Sequence, residues 1–159
     1  MNFIKEFGIT HFRFHVSGDV DIGEFKQRYV EAICNVASRA GTGVKFWTYT
    51  KDYGAWKKAT VPENMVVLFS AWGEKFHPDG NSGHPIAFLY DKGNTDDKYM
   101  RGMDIEHFDE YDKNRDTKTS PVVFCPCSDP EYKHRVTCIT CGLCWDNKGN
   151  KHNVAFHKH

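Results

Sequence analysis

The chain lacks an excess of charge of either sign. Lysine plus arginine number 21 and aspartate plus glutamate also number 21, so the formal net charge is zero. A strongly basic nucleic-acid-binding protein or a polybasic membrane anchor would carry a clear positive excess. We therefore expect no membrane partner. A nucleic acid could still bind a local patch, but it is not the favoured partner.

Long apolar runs are also missing. The first ten residues contain no apolar core of a secretory signal peptide, and no stretch reaches the roughly 18 to 20 apolar residues that cross a bilayer. These absences predict a cytoplasmic protein. Thiols stay reduced in that compartment, which favours metal ligation over disulfide formation.

Composition and length indicate one globular domain. Of the 159 residues, 40% are hydrophobic and 14% are aromatic, which is enough to build a sizeable core. We therefore expect a single α/β domain over residues 1–159, in which residues 121–159 form a C-terminal segment with its own role.

Apolar segments separated by polar turns predict a parallel sheet. Five strands are predicted, over residues 12–16, 44–50, 65–70, 85–90 and 121–124. Between the first two strands, apolar residues at spacings of three and four predict an amphipathic helix over 21–39, which Asp19 or Asp21 could cap. Strand, helix and strand this close together favour a right-handed parallel crossover. The predicted fold class is therefore α/β, with a mostly parallel sheet or a partial barrel.

Two shorter helical pieces are predicted outside this unit. One covers residues 51–58, and a weaker one lies around 105–111. The second falls within the polar stretch 91–117, which we interpret as a solvated insertion rather than a functional acidic surface.

Cysteine is scarce in the first 124 residues and concentrated after them. Five of the six cysteines lie between Cys125 and Cys144. Cys138, Cys141 and Cys144 have C-x-x-C-x-x-C spacing, which lets a loop direct successive sulfurs toward one centre. Ferredoxin-type clusters add a remote cysteine followed by proline, and here Cys125 precedes Pro126. The pattern therefore predicts a four-iron cluster held by Cys125, Cys138, Cys141 and Cys144 in a C-terminal metal knuckle.

Zinc is the competing prediction for the same segment. Four thiolates, or three thiolates and a histidine, make a closed tetrahedral zinc site. Cys127, His157 and His159 are the alternate ligands within reach in sequence. The spacing does not separate the two metals, although the proline after Cys125 slightly favours iron–sulfur. Cys34, on the predicted helix, is interpreted as a core residue.

Polar residues follow several of the predicted strands. In parallel α/β sheets, ligands bind beyond the carboxyl ends of the strands. We therefore expect these residues to form one rim that binds a small-molecule ligand or a protein partner. The rim residues are His15, Ser17, Gly18, Asp19, Tyr49, Lys51 and Ser70. Taken singly, each has a plainer interpretation, such as a helix cap for Asp19.

Aromatic and basic residues are mixed over 47–58, a composition that could stack bases and contact phosphates. Trp47 and Trp56 are the largest of these side chains. Aromatic residues at strand spacing more often pack in a core, so this mix does not make nucleic acid the favoured partner.

Several motifs together resemble a known family. They are FHVSGD at 14–19, FWTYTK at 46–51, CP at 125–126, CITCGLCW at 138–145 and FHKH at 156–159. These segments are similar to phage and mobile-element proteins related to the mycobacteriophage gene-product-eighty-eight family. The resemblance implies a phage or mobile-element accessory protein, located in the host bacterial cytosol if a phage encodes it, and it implies no particular activity. Whether the chain is an enzyme stays open.

Two alternative functions remain open. The Ser17-Gly18-Asp19 turn resembles the glycine-rich turn after a strand in the partial barrel of radical S-adenosylmethionine enzymes, which implies an iron–sulfur enzyme. Those enzymes carry an early C-x-x-x-C-x-x-C motif, whereas the cysteines here are late and spaced differently. The other alternative is a host-defence antagonist that acts by contact with a host protein.

Overall fold

The computed structural model of the chain describes residues 2–15, 19, 23–71, 83–90, 105–106, 121–130, 132–147, 149 and 151–157. Its helices are α1 (Asn2–Glu6), α2 (Lys26–Ala40), α3 (Tyr53–Lys57) and α4 (Cys138–Cys141), and a 3-10 turn at Gly23–Phe25 precedes α2. Its strands are β1 (His11–Arg13), β2 (Lys45–Thr50), β3 (Met65–Ala71), β4 (Ile86–Tyr90), β5 (Ile105–Glu106), β6 (Val122–Phe124) and β7 (Asn153–His157). Within these residues, no helix is long and apolar enough to span a membrane.

The strands form one seven-stranded sheet in the order β1-β2-β3-β4-β7-β6-β5. Every neighbouring pair is parallel, which confirms the predicted α/β class and the parallel sheet. The order follows the chain only as far as β4. Strand β7 then lies between β4 and β6, with Ala155 opposite both Phe88 and Phe124.

One predicted helix is wrong where the structure describes it. The piece expected around 105–111 begins with Ile105–Glu106, which form β5 and not a helix. Ile105 lies opposite Val122 in the parallel pairing of β5 with β6. This pairing provides hydrogen-bond partners for the backbone N–H and C=O groups, which a helix would satisfy within itself. Residues 107–111 lie outside the described residues.

Helix α2 covers one face of the sheet. Its buried residues Val30, Ile33 and Ala37 recur at spacings of three and four, as the amphipathic pattern predicts. They pack in one core with Phe46 and Val67. The helix begins at Lys26, later than predicted, and residue Phe25 at its start makes no side-chain capping hydrogen bond.

The C-terminal segment covers the opposite face. Trp47 on β2 and Leu68 on β3 alternate with the residues that face α2, and they share a second core with Cys125 and Leu143. Leu68 is fully buried, and burial of such a side chain contributes roughly 1.5–3 kcal/mol. Cys127, Cys141 and Cys144 pack against this second core, so most cysteines of the segment are built into a packed face of the sheet.

Candidate functional site

A cavity of about 200 Å³ lies beside this second core. Its walls contain the five cysteines of the C-terminal segment, Cys125, Cys127, Cys138, Cys141 and Cys144. The other lining residues are Arg13, Tyr49, Ser128, Leu143 and Phe156. We call this space the cysteine cavity.

The cysteine cavity lies at the carboxyl end of the sheet. Arg13 is the last residue of β1, Cys125 directly follows β6, and Tyr49 and Phe156 are each next to last in their strands. Ligand sites in parallel α/β sheets occupy this end. The sequence-predicted cysteines and the strand ends therefore meet in one place.

The sheet curves toward this face. The rings of Tyr49 and Phe156 meet edge to face with centroids 5.6 Å apart, although β3 and β4 lie between β2 and β7. At about 4.8 Å per strand, a flat sheet would place those two strands about 14 Å apart. Contact between the rings requires the strands to approach one another, so the cysteine segment lies in a concave surface.

Local capping shapes the segment that carries three of the cysteines. Thr137 and Thr140 form a capping box, with Thr140 N donating to Thr137 Oγ1 at 3.3 Å and Thr137 N donating to Thr140 Oγ1 at 3.0 Å. Helix α4 then ends at Gly142, whose φ of 77° is the left-handed conformation that glycine adopts readily. Trp145 Nε1 donates to the Cys138 carbonyl at 2.9 Å and closes the turn. Cys138, Cys141 and Cys144 are thereby held around one side of the cavity.

A buried polar network attaches this turn to β7. His152 Nε2 lies 2.7 Å from the Leu143 carbonyl, and Asn147 Nδ2 donates to the His152 carbonyl at 2.7 Å. Asn147 is fully buried, so its amide is satisfied by the chain that it organises. These hydrogen bonds hold the cysteine turn against the residue that directly precedes β7.

Burial makes thiolates costly in the cysteine cavity. It raises the pKa of the Cys125, Cys127 and Cys144 thiols, and raises the pKa of Cys141 to about 12. Neighbouring thiols repel one another's charge and add to the effect. A cation that binds these sulfurs must displace their protons, so binding strengthens as the pH rises.

The five cysteine sulfurs line the wall of the cavity and do not converge on the position of a single metal ion. Zinc–sulfur bonds of about 2.3 Å place tetrahedral ligand sulfurs about 3.8 Å apart. The Sγ atoms of Cys127 and Cys138 are 3.9 Å apart. Yet across the part of the chain that the structure describes, no three His, Cys, Asp or Glu side chains are grouped to hold one metal ion.

His157, an alternate ligand, is not among the residues that line the cavity. The His157 ring stacks on Phe124 at 4.7 Å, and its Nε2 lies 3.6 Å from Asp129 Oδ2. His159 lies outside the described residues. Cys34 is 8% exposed and packs in the core beneath α2, which confirms its interpretation as a core residue.

The predicted rim residues make several separate contacts. His15 has a left-handed φ of 54°, and its ring nitrogens lie 3.1 Å from Thr48 Oγ1 and 3.1 Å from Tyr29 Oη. Burial lowers the pKa of His15, against a smaller opposing effect of Asp19. The His15 ring therefore links the end of β1 to β2 and α2.

Asp19 connects strand ends and does not cap α2. Its carboxylate accepts a hydrogen bond from Thr50 Oγ1 at 2.8 Å and one from the Lys51 amide at 2.5 Å. The helix-cap interpretation of Asp19 is wrong because Phe25 occupies the N-cap position of α2 and no side chain caps the helix there. Asp21, the other cap considered, lies outside the described residues.

The remaining described rim residues have different neighbours. Tyr49 lines the cysteine cavity. Ser70 follows Leu68 by two residues on β3 and so lies on the same face of the sheet, but its carbonyl accepts a hydrogen bond from Tyr53, which packs in the core beneath α2. Ser17 and Gly18 lie outside the described residues. The rim as a surface for one ligand stays a prediction.

The two tryptophans of the aromatic and basic stretch are core residues. Trp56 is 0% exposed and Trp47 is 6% exposed, so neither presents a ring face on which a base could stack. This part of the stretch packs the fold, as the plainer interpretation predicts.

Tyr53 gives a pH-dependent test of the α2 face. Burial, with a smaller effect of Asp19, raises the pKa of Tyr53 to about 12. The unfolded chain ionises first, so the contribution of Tyr53 to stability falls as the pH rises from about 10 to about 12. We expect the native protein to lose more unfolding free energy across this window than Tyr53→Phe. Urea titrations at about pH 9 and about pH 11.5 measure the difference, and equal losses would contradict it.

The family model described as gene product 88 matches residues 4–147. The match extends from α1 through the cysteine turn and includes all six cysteines. No curated protein and no solved structure matches the chain.

Proposed function

The chain belongs to the gene product 88 family, a phage family, and we propose that it is a phage accessory protein that holds an iron–sulfur cluster in the cysteine cavity. The observation that carries this proposal is the gathering of five cysteines around one cavity at the carboxyl end of the sheet. In this proposal residues 1–159 are one domain, and residues 121–159 are its metal-binding segment.

The arrangement of the sulfurs supports a cluster over a single ion. A zinc ion needs four ligands on one point, with sulfurs about 3.8 Å apart. A four-iron cluster needs thiolates at the corners of a larger body, and here the sulfurs line a cavity of about 200 Å³. The cavity wall is also built from ordered elements, namely strand ends and the capped α4, which suits a preorganised site.

Four of the five cysteines are the proposed ligands. Cys138, Cys141 and Cys144 lie on α4 and the turn that follows it, and Cys125 enters from the end of β6. Cys127 is the fifth cysteine, because its Sγ lies 3.7 Å from the Val136 carbonyl and so already has an acceptor in the segment. Cys127 could replace a ligand that is lost.

Arg13 suits the charge of such a site. Four thiolates bring more negative charge than a four-iron core offsets, so a nearby cation is favourable. Arg13 lines the cavity, and its guanidinium carbon lies 5.8 Å from the centroid of the Tyr49 ring. Cys138 is exposed whereas Cys125 is buried, so one side of the bound cluster would reach solvent and could exchange electrons with a partner.

A structural zinc ion is the second candidate. The 3.9 Å between the Cys127 and Cys138 sulfurs is close to the spacing of two thiolates on one zinc ion. A zinc site also requires two further ligand atoms to move within bonding distance of the same ion.

Absorbance of anaerobically purified protein tests the proposal. We expect a brown protein with a band at about 400 nm that dithionite bleaches, because thiolate-bound iron–sulfur clusters absorb there and accept one electron. A colourless protein that carries zinc would overturn the cluster and support the second candidate.

A further inference from the structure

One hydrogen bond reaches a proposed ligand from the sheet. Tyr49 Oη donates to Cys144 Sγ at 2.9 Å. Tyr49 lies on β2, and Cys144 lies on the turn after α4, 95 residues along the chain. The donor lies on a strand of the sheet and the acceptor lies in the cysteine turn. The packing of the turn against the sheet therefore sets the geometry of this bond.

The position of the Tyr49 hydroxyl is tightly determined. The ring meets Phe156 edge to face at 5.6 Å, and the Arg13 guanidinium carbon lies 5.8 Å from the ring centroid. Tyr49 also sits between neighbours on a sheet strand, with Leu68 opposite it on β3. A rigid aromatic side chain held on three sides therefore aims one donor at one sulfur.

We propose that Tyr49 is a positioning residue that raises the reduction potential of the cluster by donating this hydrogen bond to the Cys144 thiolate. The inference rests on the proposed function, because it needs a cluster at Cys144. Reduction adds one electron from a low-potential donor to the oxidised cluster, and no covalent bond forms or breaks. The added charge spreads onto the sulfur ligands, so a donor hydrogen bond stabilises the reduced form more than the oxidised form.

A purely structural role for the hydroxyl makes a different prediction. If Tyr49 only fastened the cysteine turn to the sheet, its loss would lower cluster content or stability and leave the potential of the remaining clusters unchanged. Tyr49→Phe separates the two roles because it keeps the ring and its contact with Phe156 and removes only the donor. Tyr53→Phe is the matched control, since that hydroxyl donates to the Ser70 carbonyl on the face of the sheet that α2 covers.

A redox titration of the full chain with a dithionite-poised mediator set tests the proposal. We expect Tyr49→Phe to hold as much iron and sulfide as the native protein and to have a more negative midpoint potential. The reduction equilibrium constant should fall about threefold to tenfold, where tenfold is about 59 mV for one electron. Tyr53→Phe should match the native potential. An unchanged potential in Tyr49→Phe, or equal shifts in both variants, would overturn the role of Tyr49.

A second substitution covers the case in which Tyr49→Phe loses the cluster. A 3-fluorotyrosine in place of Tyr49 keeps the ring and carries a more acidic hydroxyl, which is a stronger donor. We expect this protein to have a less negative potential than the native one, and an unchanged potential would overturn the proposal. Native protein without iron and sulfide would instead refute the proposed function, and the inference about Tyr49 with it.

Discussion

Replacing Cys141 by serine is expected to reduce the iron and sulfide content of the protein to background. Cys141 lies on α4 with its side chain in the cavity wall, and it is the middle cysteine of the C-x-x-C-x-x-C run. Serine keeps the size of the side chain but does not supply a thiolate. Because binding free energy contributes to folding free energy, the midpoint of thermal unfolding should fall as well.

Cys34→Ala is the matched control for this experiment. Cys34 is also buried, but it packs beneath α2 and does not line the cysteine cavity. We expect it to keep its full iron and sulfide content and to lose only the packing of one small side chain. Full iron content in Cys141→Ser, or the same loss in both variants, would refute Cys141 as a ligand.

Replacing Asp19 by alanine is expected to lower the unfolding free energy by about 2–4 kcal/mol. The carboxylate accepts hydrogen bonds from Thr50 Oγ1 and the Lys51 amide, and each bond to a charged acceptor contributes about 1.5–3 kcal/mol. Asp19 is only partly buried, so screening by water lowers the sum of the two contributions. Alanine leaves both donors without this acceptor where the chain after β1 meets the end of β2. Urea unfolding of the two proteins at neutral pH measures the difference.

Glu31→Ala is the control for Asp19→Ala, since Glu31 is exposed on α2 and accepts one long hydrogen bond from Gln27 at 3.4 Å. A change within about 0.5 kcal/mol is expected for this surface substitution. Asp19→Ala should retain iron, because the hydroxyl of Thr50 and the amide of Lys51 are not part of the cavity wall. Unchanged stability in Asp19→Ala would contradict its role as an anchor.

A strand could be predicted from the sequence where nearly all of its residues are buried and therefore apolar. Strand β3 is buried along nearly all of its length, and a strand covered on both faces has a continuous apolar run. Strand β7 has only five residues with a burial pattern that does not alternate, and so it gave no periodic signal. Its central position depends on pairing with β4 and β6, which are distant in the chain.

The grouping of the cysteines could be predicted because the C-x-x-C-x-x-C spacing is a local sequence pattern. Arg13, Tyr49 and Phe156 reach the same cavity only because the sheet curves, and no local pattern encodes that curvature. Arg13 lies inside the strand predicted over 12–16, and only the structure ends β1 at Arg13. Its position one residue before the FHVSGD motif is the one local signal in the sequence.

The predicted rim includes residues whose contacts lie on both faces of the sheet. Successive side chains on a strand point to opposite faces, so Tyr49 faces the cysteine cavity while its neighbours Thr48 and Thr50 bond to His15 and Asp19. Strand ends thus supply two sets of contacts, one on each face.

Iron and acid-labile sulfide, counted per chain in protein purified without oxygen, test the central claim most directly. The account predicts about four iron and about four sulfide per chain, held by thiolates in the cysteine cavity. One zinc per chain without sulfide, or a chain that binds no metal at all, would contradict it.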